Sequence, residues 1–215
     1  ILQMLESSKE MIRDCAIRSL NKIMDVLPNI EDDNDLGLFI LRRVWIAKHD
    51  VATEIQDQAD YLWTKSCFEI PIALSEEILR DIIHDENCIQ KAAAGSLVTI
   101  LREDQSRVIP VLDKLLETYT EKLSLVPAVL DQFNREIVPA IDMWSPRGVA
   151  ITISQISQFF DLETVERIIQ FMVSTGLRDR EEIVHKEMLA ASLEIVDLHG
   201  KQCVTTLLPV FEDFL

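Results

Sequence analysis

Ile12-Arg13-Asp14-Cys15-Ala16-Ile17-Arg18-Ser19-Leu20 decides the reading of this chain, because its pattern comes back. It returns closely as Ile89-Gln90-x-x-Ala93-x-x-Ser96-Leu97 and more loosely as Ile55-Gln56-x-x-Ala59-x-x-Leu62-Trp63, so that the three copies are spaced 43 and then 34 residues apart. On a helix the offsets 0, +4, +7 and +8 share one face, and each copy therefore draws an apolar stripe. The small residue at +4 lets a neighbouring helix approach, while Leu20, Leu97 or Trp63 fills the space one turn along. Recurrence at this period marks a helical repeat array rather than a single globular core.

A related phrase, Val184-His185-x-x-Met188-x-x-Ala191, lies 95 residues after Ile89, close to two repeat lengths. The stripe is that of the second helix of a HEAT-type repeat. A separate phrase, Ile109-Pro110-Val111-Leu112, resembles Leu208-Pro209-Val210-Phe211, and each reads as a first helix that proline bends or begins. The expected fold is all-α: a HEAT-repeat α-solenoid, a right-handed superhelix of antiparallel helix pairs, running through 1–215 as one continuous array of about five repeats. Helices are expected near 7–27, 34–48, 51–66, 75–84, 86–103, 106–123, 147–160, 162–175, 180–199 and 201–215, with Ser75, Asp85 and Asp161 at starts and Gly176 and Gly200 at stops. Ile1-Leu2-x-x-Leu5 resembles the tail of a preceding helix and Leu207 to Leu215 ends inside a repeat, so both ends read as cut from a longer solenoid.

One segment, near 124–146, breaks the period. It holds Pro127 and Pro139 with Pro146 at its end, its apolar pattern is short and irregular, and it reads as an extra helix around 127–135 followed by a loop. No stretch alternates with period two, so no sheet is expected.

With 48% hydrophobic residues and few glycines and prolines, the composition is that of a folded, helix-rich chain. The longest apolar run, Leu36 to Ala47, contains Arg42 and Arg43 and falls short of the roughly 20 residues that span a bilayer. Cys15, Cys67, Cys88 and Cys203 show no C-x-x-C spacing, which favours free thiols in a reducing compartment, cytosolic or nuclear, over disulfides or zinc. The net charge of −16 disfavours broad binding to a phosphate backbone, DNA included.

The closing third carries more specific wording. Ile153-Ser154-Gln155-Ile156-Ser157-Gln158-Phe159-Phe160, Gln170-Phe171, Leu198-His199-Gly200-Lys201 and Leu207-Leu208-Pro209-Val210-Phe211-Glu212-Asp213-Phe214-Leu215 closely resemble the general control non-derepressible family, the very large HEAT-repeat translational activators of eukaryotes. Val44-Trp45-Ile46-Ala47-Lys48-His49-Asp50 and Asp81-Ile82-Ile83-His84-Asp85-Glu86 are similar to it as well. The resemblance implies a cytoplasmic scaffold, not an enzyme. It implies a ribosome-associated protein that works with an ATP-binding-cassette partner and stimulates the kinase of initiation factor two alpha during amino-acid starvation or ribosome collision. A nuclear transport receptor or a phosphatase scaffold shares the acidity and the periodicity, and only the closing stretch separates them.

There is no P-loop, and the His–acid neighbours His49-Asp50, His84-Asp85 and His185 with Glu187 diverge around a helix and lack a third ligand. No catalytic, metal or cofactor site is expected. Arg42, Arg43 and Lys48 form the one basic cluster, with at least one arginine turned off the buried stripe. They are either a solvated face paired to Asp50 or Glu54 or a contact for rRNA or an acidic protein. The charge balance favours ribosomal protein over rRNA as the partner of this segment. Trp45 and Trp63 fit the core pattern, while Trp144, beside Ser145 and Pro146, is the aromatic kept as a candidate partner contact. Arg13, Gln56, Gln90 and His185 share one repeat position and read either as a row of bonds to neighbouring repeats or as an exposed binding row.

Overall fold

The three copies of the repeat phrase, from Ile12, Ile55 and Ile89, each lie on a helix, and in each the alanine at +4 is buried. The computed structural model describes residues 1–24, 34–122, 125–126, 129–130, 136–138, 141–142, 147–179 and 181–212, with side chains described in 1–24, 35–121, 147–179 and 181–204. Two compact units emerge, Ile1–Ser106 and Arg107–Leu215.

In the first unit a 3-10 turn, Leu2–Glu6, packs on α1 (Glu10–Ile23), and α2 (Asn34–Ala47) packs on α3 (Thr53–Lys65). The third pair is α4 (Leu74–Ile82) with α5 (Asn87–Glu103), and α2 also touches both of these helices. The repeated phrases occupy α1, α3 and α5, the second member of each pair, as the stripe predicts. Ala16, Ala59 and Ala93 are all buried, and Leu20, Leu62 and Leu97 lie one turn on in the same core. Burying each such leucine contributes roughly 1.5–3 kcal/mol. Because Ala93 has no exposed surface (0%), Ala93→Leu is expected to overpack this contact. A loss of about 1–3 kcal/mol in a urea titration followed by circular dichroism is the predicted result, and an unchanged midpoint would place Ala93 away from its neighbour.

The end of α3 is unusual. Cys67 holds φ 52°, its N–H donates to Thr64 O, and the Phe68 N–H donates to Trp63 O. This is the Schellman pattern, with the ring of Phe68 edge-on to Trp63 at 5.5 Å supplying the apolar contact that accompanies it. The left-handed position normally belongs to glycine. Cys67→Gly is expected to stabilise by roughly 1 kcal/mol, read as a higher melting temperature.

In the second unit α6 (Val108–Lys122), which follows the 3-10 turn Gln105–Arg107, packs on α7 (Arg147–Ile156), and α8 (Leu162–Ser174) packs on α9 (Glu182–Glu212), itself in contact with α7. Pro110 sits in the first turn of α6, where its missing N–H is one that the helix would leave unbonded. The Asp161 carboxylate accepts from the Thr164 N–H at 2.8 Å, capping α8, and hydrogen bonding from the Thr164 side chain and then its backbone holds the Asp161 pKa below the ordinary carboxylate value. At Gly176, which begins a short 3-10 turn, a Cβ would come within 3.2 Å of the sulfurs of Met172 and Met188.

Three expectations are corrected. Helices at 180–199 and 201–215 are one helix, α9, through Glu212: Gly200 has no positive φ, and glycine inside a helix costs only about 1 kcal/mol. At the starts of α4 and α5, Ser75 and Asp85 are not caps; α4 begins at Leu74 after Ala73, and α5 at Asn87 after Glu86, whose N–H donates to His84 Nδ1. The linker holds strands where an extra helix and no sheet were expected. β1 (Leu125–Val126) pairs antiparallel with β4 (Ile141–Asp142), and β2 (Val129–Leu130) with β3 (Glu136–Val138). β-branched residues supply most of these positions, and Pro127 and Pro139, in the sequence between the two ladders, cannot donate to either a helix or a ladder. Among the described residues no helix is long and apolar enough to cross a membrane.

Candidate functional site

The predicted basic cluster turns inward. Arg42 and Arg43 are 7% and 5% exposed, and both meet Asp81, which α4 places on its buried face between Ile78 and Ile82. Arg43 pairs with Asp81 Oδ1 through Nη1 at 2.7 Å and with Glu6 Oε1 through Nη2 at 2.5 Å. Arg42 pairs with Glu77 Oε2 through Nη1 at 3.0 Å, and its Nε lies 3.3 Å from Asp81 Oδ2 as a charge contact without hydrogen-bond alignment. The two guanidinium carbons each lie 5.3 Å from the Phe39 ring centre. Burial pushes the Asp81 carboxyl up from the usual carboxylate range, against the pull of Arg43 and Arg42.

The expectation that one arginine turns off the buried stripe is therefore corrected: both are drawn in because α4 supplies a buried acid. Their partners are Glu6, Glu77 and Asp81 rather than Asp50 or Glu54. Lys48 pairs with Asp60 at 2.9 Å and lies over the rings of Trp45 and Trp63, both buried as the core pattern predicts. This arrangement leaves the three cations neutralised within their own unit. Trp144 lies outside the described residues.

The repeat-position row does structural work at three of its four places. Arg13, 2% exposed, grips Asp50 through Nε at 2.7 Å and Nη2 at 2.8 Å. Its Nη1 donates to Ser7 O at 2.9 Å and Ser8 O at 3.2 Å. Gln56 Nε2 donates to Asp50 O, and Gln90 Nε2 donates to His84 O at 2.6 Å. Each side chain thus reaches the carbonyl six residues upstream, in the turn that enters its own helix, and Arg13 alone also ties that turn to the next pair. The carbonyls satisfied are ones that no helix ladder uses. His185 is half-buried and makes no such bond among the described residues.

The His–acid neighbours are likewise engaged separately. Asp50 serves Arg13 and the Ala52 N–H, and Glu187 pairs with Arg147. His49 bonds Trp45 O at 3.0 Å and Thr99 Oγ1 at 2.9 Å. Among the described residues no group of three or more His, Cys, Asp or Glu is placed to hold a metal ion. Burial lowers the His49 pKa below its ordinary 6.5, so the unfolded chain binds this proton more readily and stability falls as pH drops through the unfolded value. Melting temperatures between pH 7 and pH 5.5 are expected to decline in the parent chain and to decline less in His49→Gln; equal slopes would contradict this.

What this geometry describes in the unit Ile1–Ser106 is packed helix pairs whose recurring polar position serves its own turn. A family model for the HEAT repeats of the stalled ribosome sensor GCN1 matches residues 29–215. The chain belongs to the GCN1 HEAT-repeat family. It is 36% identical to human stalled ribosome sensor GCN1 over 217 aligned residues, covering 100% of this chain and 8% of that protein. The yeast (Saccharomyces cerevisiae) eIF-2-alpha kinase activator GCN1 is 29% identical, again over 100% of this chain and 8% of the relative. The Arabidopsis thaliana protein ILITYHIA is 26% identical over 82% of this chain and 6% of its own length. The chain thus spans under a tenth of the length of each of these relatives. No solved structure matches it. GCN1-family membership resolves the choice of family that acidity and periodicity leave open.

Proposed function

We propose that this chain is a scaffold segment of a cytoplasmic, ribosome-associated translational activator that stimulates the kinase of initiation factor two alpha when amino acids are short or ribosomes collide. Its helix pairs continue as one HEAT-repeat solenoid through 1–215, and its task is to hold distant sites at a set separation. The observation that carries this is the inward use of its polar residues: Gln56 and Gln90 bond within their own helix pairs, and Arg13, Arg42 and Arg43 bond to the next pair of the same unit. Membership of the GCN1 family supports the same reading, since one relative is named a stalled ribosome sensor and another an eIF-2-alpha kinase activator.

Where the segment meets the ribosome, the partner is ribosomal protein rather than rRNA. A net charge of −16 with its basic cluster already neutralised leaves little to release counterions from a phosphate backbone. The kinase and the ATP-binding-cassette partner are engaged by the full-length protein. The test is kinase stimulation by the full-length parent on stalled ribosomes, with and without residues 1–215. Loss of phosphorylated initiation factor two alpha on excision is expected; full stimulation without the segment would overturn the proposal.

A further inference from the structure

The contact around Lys48 has the build of a ligand site. Its ammonium lies 4.9 Å from the Trp45 ring centre and 5.3 Å from that of Trp63. The two indoles meet at 55° with centroids 4.8 Å apart, so they form a V-shaped notch, and the Asp60 carboxylate stands at its rim 2.9 Å from the nitrogen. Two π faces and one carboxylate around a single cation is the arrangement that recognises ammonium ligands, above all methylated ones, whose spread charge is readily desolvated.

The walls do not depend on the lysine. Trp45 is fixed by its Nε1–H bond to Ser96 O at 3.1 Å and by the His49 ring at 5.3 Å. Trp63 is fixed by Phe68 across the end of α3. The mouth is open on the acid side: the Lys48 side chain is 18% exposed and that of Asp60 65%. We propose that Trp45, Trp63 and Asp60 form a binding notch for the ammonium of a lysine or methylated lysine on a partner protein, and that the chain's own Lys48 is its resident, competing occupant. Being tethered, Lys48 acts at an effective concentration on the order of millimolar, so a free cation must outcompete it.

The probe is the methyl ester of N-acetyl-trimethyllysine, titrated against tryptophan fluorescence in chains carrying Trp144→Phe so that only Trp45 and Trp63 report. Lys48→Ala is expected to give saturable quenching, with at least tenfold weaker binding when Lys48 is present and at least threefold weaker binding when Asp60→Asn is added. N-acetyl-leucine methyl ester should not quench. Equal quenching with and without Lys48, or none in a Lys48→Ala chain of native circular dichroism, overturns the proposal. Should Lys48→Ala lose its helical spectrum, Lys48→Ser is used instead; loss of fold in both refutes the claim that the walls stand without the lysine.

Discussion

Asp81→Ala is expected to lower the stability of the unit Ile1–Ser106 by about 3–5 kcal/mol, the cost of stranding a buried charge. Asp81 is 1% exposed and faces two guanidinium groups. Without it Arg42 keeps only Glu77 and Arg43 only Glu6 among the acids that pair with them. Asp81→Asn should cost less, because its amide oxygen still accepts from Arg43 Nη1. Exchanging the group in concert, Arg42→Met with Arg43→Met and Asp81→Leu, should recover most of the loss, since a buried ion group and an apolar one of similar volume are often equivalent in stability. Urea titrations of the three variants check this. A loss under about 1 kcal/mol in Asp81→Ala would show that water reaches the group and screens it.

Arg13→Ala should be as damaging, again about 3–5 kcal/mol, for a different reason. The guanidinium fork matches the Asp50 carboxylate at two points and still supplies Nη1 to the Ser7 and Ser8 carbonyls. Truncation strips the buried acid of its cation, leaving it the Ala52 N–H, and takes a donor from two turn carbonyls at once. Arg13→Lys keeps the charge but not the planar fork, and is expected to restore less than half of the lost stability. If the lysine variant matched the parent chain in thermal melting, charge alone would account for the contact and the role given to the fork would be wrong.

Much of the fold is legible because its signal is local. The offsets from Ile12, Ile55 and Ile89 place a small residue and a large one on one face, and a face is all a helix needs in order to find its neighbour. Val184, Met188 and Ala191 are buried on α9 in the same way. The mistakes fall where the deciding physics is not local. Gly200 looks like a stop, but glycine ends a helix only if the chain takes up positive φ, and here it does not. Val129–Leu130 looks like part of a short helix, but it pairs with a strand that sequence separates from it.

Arg42 and Arg43 show the same limit at the candidate site. Beside Ile40 and Val44 they read as a basic patch at the edge of an apolar helix, and nothing within that helix names their partners. Asp81 and Glu77 are 38 and 35 residues away. A signal was present nonetheless: Ile78, Asp81 and Ile82 share a helical face, so the acid falls on a buried stripe and demands a cation. Arg13 was legible as a bonding position because its phrase repeats; the Lys48 notch was not, since Asp60 and Trp63 lie on α3 while Trp45 and Lys48 lie at the end of α2, and neither helix names the other.

The scaffold account is tested most directly by substitution rather than removal. Charge reversal of Arg42 and Arg43 would damage the fold before it probed a partner. In the full-length parent, residues 1–215 can instead be exchanged for an unrelated HEAT array of equal length, and phosphorylated initiation factor two alpha measured on stalled ribosomes. If the segment serves to hold other sites apart, the foreign array restores at least half of the stimulation lost on excision. If the foreign array restores none while the parent still folds and sediments with ribosomes, particular surface residues of this segment carry the function, and the spacer account is contradicted.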